Sequence, residues 1–160
     1  MRTFRISLVA VVVAALASAA AASALAPKSV PFTASYAGQA STKVVGNVAS
    51  ISATGTGLGT LIGAGKVTGA GTGDSSQQPC IPFGGTGSMT GLHGSIAYNL
   101  TTGASGCGDD GGHVFTVKGY ATVVKATGKL ANAKGTLKFT GLYNRDDGTF
   151  NVKFTGILKK

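Results

Sequence analysis

The stretch VFTVKGYATVV, residues 114–124, decides how the rest of the chain is read. Phe115, Val117, Gly119, Ala121 and Val123 share one parity, and Thr116, Lys118, Tyr120 and Thr122 the other. An extended backbone points successive side chains to opposite faces, so this run reads as a strand with one buried side. A helix would repeat its apolar positions every ~3.6 residues, and that spacing is missing. Two downstream runs repeat the pattern. Gly135, Leu137, Phe139, Gly141 and Tyr143 oppose Thr136, Lys138 and Thr140, while Phe150, Val152, Phe154, Gly156 and Leu158 oppose Asn151, Lys153 and Thr155. YNRDDGTF joins these two runs as a hairpin, since Asn and Asp tolerate turn geometry and Gly148 can take positive φ. An inward glycine in each strand (Gly119, Gly141, Gly156) permits the sharp coiling of a sheet that closes on itself.

Earlier segments repeat the rhythm less cleanly. VPFTASYAGQA alternates Phe32, Ala34 and Tyr36, KVVGNVASISATGTG and GTLIGAGKVTGAGTG read as strands loosened by glycine, and SMTGLHGSIAYNL adds Met89 and a run from Leu92 to Leu100. The fold class expected is all-β, an antiparallel up-and-down barrel of about eight strands. Recurrent Thr-Gly pairs admit a β-solenoid as an alternative, but solenoids need a constant repeat length and none is found.

The N-terminus predicts export. MRTFR carries Arg2 and Arg5, an uncharged apolar run follows, and small residues close it, which is the pattern of a secretory signal peptide. Residues 1–24 form the expected leader, cut after Ala24, or after Ala26 if Pro27 does not hinder the peptidase. Residues 27–160 then make a single domain, long enough for one packed core. No second apolar run of spanning length follows, so no transmembrane segment is expected after leader removal. All 26 glycines lie beyond the leader, a share far above the ~7% average; regular apolar spacing and only four prolines favour order with many tight turns over disorder.

Cys80 and Cys107 are the only cysteines, both in loop-like surroundings. In an exported protein an isolated pair is expected to form one disulfide, worth about 3 kcal/mol if unstrained. The net charge is +9, and without Arg2 and Arg5 eleven lysines and one arginine face five aspartates, with no glutamate. Lys118, Lys138 and Lys153 fall on the polar faces of consecutive strands, either as a cationic stripe for an anionic polymer or as a solvated exterior. The lysines are dispersed and tryptophan is absent, so specific nucleic-acid binding is not expected.

No catalytic constellation is visible. GTGLGTLIGAG echoes a dinucleotide-binding glycine motif, but the helix that would hold the pyrophosphate does not follow. Asp109-Asp110 and Asp146-Asp147 each precede glycine, where aspartate serves the backbone of a turn; acid-base or calcium work would need converging neighbours. His93 and His113 lack metal-ligand spacing, and no serine stands in a nucleophile elbow. No cofactor or metal is expected.

The segment ATGKLANAKGTLKFTGLYNRDDGTFNVKFTG is similar to the C-terminal signature of the dirigent and allene oxide cyclase-like barrels, small secreted bacterial members among them. Thr127, Gly128, Lys129, Ala133 and Gly135 match its Gly-Thr-Gly-basic-aromatic-x-x-Ala-x-Gly pattern, while Leu130 replaces the usual aromatic and Ala126 the usual glycine. The resemblance covers about the last third of the chain. It implies an eight-stranded barrel able to enclose a small hydrophobic molecule, and it makes GKLANAKG a compact corner. Leu130 would plug the barrel end, with Gly128 and Gly135 letting the chain in and out. Enzymatic members use buried acids; this chain has no glutamate and its aspartates fall in loops, so no catalytic residue carries over.

The expectation is a secreted, non-enzymatic barrel with a binding or structural role. Phe115, Phe139, Phe150 and Phe154 either fill its core or contact a small hydrophobic ligand. A dirigent- or cyclase-type enzyme and a basic protein binding anionic polymers are the alternatives. A homo-oligomer is compatible with the resemblance.

Overall fold

A computed structural model describes residues 27–160. The expected leader lies outside the described residues. Nine antiparallel strands follow in order: β1 (Ser29–Val45), β2 (Val48–Gly59), β3 (Gly63–Asp74), β4 (Cys80–Gly91), β5 (Gly94–Leu100), β6 (Ser105–Gly108), β7 (Val114–Ala126), β8 (Thr136–Asn144) and β9 (Thr149–Lys159). β1 pairs with both β2 and β9, and β3 pairs with β4, so the sheet closes into a barrel without a free edge.

Eight positions make the barrel, and β5 and β6 share one of them. β4 pairs with β5 over Thr86–Gly91 and with β6 over Cys80–Pro82; β7 meets both in turn. Residues 101–104 separate the two pieces, opposite only 119–120 on β7. The surplus folds inward, burying Ala104 beneath Gly119, where an added Cβ would stand 2.8 Å from the Ala104 Cβ.

The inward parity read from the sequence holds for the last three barrel strands: Phe115, Ala121, Val123, Leu137, Phe139, Phe154 and Leu158 are all buried. Early boundaries differ from the sequence reading. KVVGNVASISATGTG is two strands, turned at Gly46 (φ 57°) and Asn47, and residues 60–62 are a turn preceding β3. Glycine carries no side chain, so alternation fades where the turns fall.

The two ends differ. Turns at 60–62 and 92–93 and the long connection 127–135 gather at one end. There Leu130, in a 3₁₀ turn (Gly128–Leu130), is fully buried with Ile62, Met89, Ile96, Leu137 and Leu158. Gly128 (φ 61°) and Gly135 (φ 149°) bracket it, and an added Cβ at Gly128 would strike the carbonyl of His93. Thr127 Oγ1 accepts the Ser95 N–H at 3.0 Å, and Lys129 N–H donates to the His93 carbonyl at 2.9 Å, fastening the plug to β5 and its turn. GKLANAKG is a corner that closes the barrel.

Candidate functional site

The other end is open. A cavity of about 770 Å³ enters the barrel there, within the size range of small-molecule sites. Its floor is a row of rings from four strands. Phe83 lies 6.3 Å from Phe139, Phe139 lies 5.9 Å from Phe154, and Phe154 lies 5.4 Å from Tyr98, all centroid to centroid and tilted. Beneath the row the interior is packed by Phe32, Met89, Ile96 and the plug; above it lies the cavity, with Leu100, Phe115, Phe150 and Val152 in its wall.

The space exists because one wall, Ile51 and Val67 aside, carries mainly alanine and glycine. Ala40, Ala49, Ala53, Gly69 and Gly71 face the cavity from β1, β2 and β3, opposite the aromatic wall. Elsewhere a ring lies over several inward glycines: Phe150 over Gly55, Tyr36 over Gly57, Tyr98 over Gly87 and Phe139 over Gly119. Gly69 has no such cover. A Cβ there would point into open space, with its nearest neighbour, the Thr86 carbonyl oxygen, 3.7 Å away.

All four phenylalanines singled out from the sequence line the cavity. Phe115, Phe139 and Phe154 are buried and Phe150 is partly so, so each also packs the barrel. Sequence reasoning missed Ile81, Phe83, Tyr98 and Leu100, which join them together with Tyr143, read as inward but not as a ligand contact. The alternations Ile81/Phe83 and Ile96/Tyr98/Leu100 were the available signal, hidden by neighbouring glycine and proline.

Polar groups ring the mouth. Ser75, Gln78, Thr42 and Arg145 border it, and Thr42 Oγ1 lies 3.1 Å from the Tyr143 hydroxyl, tying β1 to β8. Two loops beside it are pinned together: His113 Nδ1 donates to the Asp146 carboxylate at 2.9 Å, and the His113 N–H donates to Asp109 Oδ1 at 2.8 Å. The hydrogen bond to Asp146 and its charge raise the His113 pKa above the usual imidazole value. Hydrogen bonds from the His113 N–H hold Asp109 below the carboxylate range, and bonds from Thr149 do the same for Asp147. The aspartate pairs thus lie in turns, with these members accepting local bonds.

Burial pushes the Tyr36 and Tyr98 phenols up to about 12, with Tyr36 adding to the effect on Tyr98. The Tyr36 hydroxyl is the one buried side-chain polar atom without a partner among the described residues. Cys80 and Cys107 stand directly opposite one another at the ends of β4 and β6, Cα atoms 4.0 Å apart, and form a disulfide. Their surroundings are strand rather than the loop expected, and the bond clamps the short β6 to the rim. A disulfide is compatible with an extracellular location.

Lys118 and Lys153 both face Thr140 across β7, β8 and β9, with Lys138 one diagonal step away, all on the exposed outer wall. Among the described residues no cluster of three or more His, Cys, Asp or Glu could hold a metal, and no helix is long and apolar enough to cross a membrane. No protein-family model, curated protein or solved structure matches the chain.

Proposed function

We propose that this protein is an exported carrier or binding protein that holds a small hydrophobic molecule inside its barrel. The observation that carries the reading is the void facing Gly69, opposite Phe115, Phe139, Phe150 and Phe154. A barrel built only for stability would fill that space, because interiors pack to crystal-like density. The ligand has an apolar body for the aromatic wall and an acceptor group for the mouth, where Arg145 and Gln78 supply donors. The plugged corner also supports a distant kinship with the dirigent and allene oxide cyclase-like barrels, and export through the N-terminal leader is part of the same proposal.

Native mass spectrometry of the protein secreted by its own host, before and after denaturation, tests the reading. A bound small molecule released on unfolding is the expected result, and the same spectrum gives the subunit count. An apo mass, together with no uptake of any member of an apolar carboxylic-acid panel, would overturn it.

A further inference from the structure

The charges of this barrel are sorted along its axis. All five acids of the chain, Asp74, Asp109, Asp110, Asp146 and Asp147, sit in the strand ends and loops of the open end. The plugged end holds none. On its β7, β8, β9 and β1 side lie Lys28, Lys125, Lys129, Lys134, Lys159 and Lys160, all exposed. The single salt bridge among the described residues, His113–Asp146, is at the open end, so these lysines have no carboxylate partner.

The same end exposes large apolar side chains. Leu92 stands at the tip of the β4–β5 turn, 82% exposed, and Leu61 stands in the β2–β3 turn. Leu58, Val124 and Ile157 are exposed on the outer wall just behind them. Lysines alone would suit any polyanion. Leucines projecting from turn tips at the same end as a cluster of lysines suit an interface whose surface is anionic and whose interior is apolar.

We propose that the plugged end docks on the surface of an anionic phospholipid bilayer, with Leu92 and Leu61 entering the headgroup region and the six lysines contacting lipid phosphates. The barrel then stands with its mouth facing away from the membrane. The open end also exposes apolar groups, Val44, Val45 and Val48, but its five aspartates are repelled by such a surface.

Co-sedimentation of the purified protein with phosphatidylcholine vesicles, with and without phosphatidylglycerol, tests this. Binding is expected only with phosphatidylglycerol, and it weakens as salt rises. Leu92→Ser lowers partitioning about tenfold, and Lys129→Gln and Lys134→Gln lower it about fivefold each. Thermal melts of the variants confirm that each is folded. Three results would overturn the proposal: no binding to anionic vesicles by the folded protein, unchanged binding by Leu92→Ser (a purely ionic contact suited to a soluble polyanion), or loss of binding in Val45→Asp instead.

Discussion

Tyr98 on β5 and Phe154 on β9 meet across the barrel interior, ring centroids 5.4 Å apart and planes inclined by 52°. Their strands are not neighbours in the sheet, so the contact spans the lumen and separates the packed half from the half that holds the cavity. Phe154→Ala removes the ring that joins Tyr98 to Phe139, and the cavity then opens toward the plug. The expected cost is about 3–5 kcal/mol in denaturant unfolding. A loss below ~1 kcal/mol would mean the rings do not form a packed floor.

Gly69 and Gly71 give opposite results on the same strand. Gly69→Ala adds a methyl group to open space and restricts the unfolded chain, so stability rises by about 0.4–1 kcal/mol. Gly71→Ala drives its Cβ into the carbonyl of Gly84 on the paired strand, and stability falls by more than ~1 kcal/mol. Paired thermal melts decide it.

How much was legible in the sequence follows from which residues carry side chains. The faces of β7, β8 and β9 could be read because Phe, Val, Leu or Tyr marks most of the inward positions and Thr, Lys or Asn most of the outward ones. The first half could not be divided, because the turn glycine Gly46 and the inward glycine Gly55 are the same letter in similar surroundings. The void was hidden for the same reason. Whether an inward glycine leaves space depends on which atoms of another strand lie over it, as the Phe150 ring lies over Gly55 and no ring lies over Gly69. Charge sorting was equally hidden, since the lysines are scattered in sequence and gather only when alternate turns meet at one end.

The Cys80–Cys107 bond closes a segment with a sequence separation of 27 and holds β6 in the wall. Replacing both cysteines with serine is expected to lower unfolding free energy by about 3 kcal/mol. Because β6 lines the rim through Gly106, hydrogen exchange should rise first in residues 101–108. Uniform loss of protection across the barrel would contradict a local clamp.

His113 gives a pH signature. Its folded pKa is raised by Asp146, so the protonated ring contributes stability below the unfolded pKa of about 6.5. That contribution is lost as pH rises through the folded value. Proton NMR of the imidazole should give a midpoint above the free histidine value, returning toward it in Asp146→Asn. An unchanged midpoint in that variant would dismiss the pair.

The most direct measurement is a titration of the apolar fluorophore 1-anilinonaphthalene-8-sulfonate into the folded protein and into Gly69→Leu, whose added side chain fills the cavity from its open wall. Saturable one-site fluorescence is expected for the native chain, with at least a ~tenfold weaker affinity in the variant and the melting temperature preserved. Equal affinity in the two proteins, or no saturable binding to the native chain, would contradict a ligand-holding barrel.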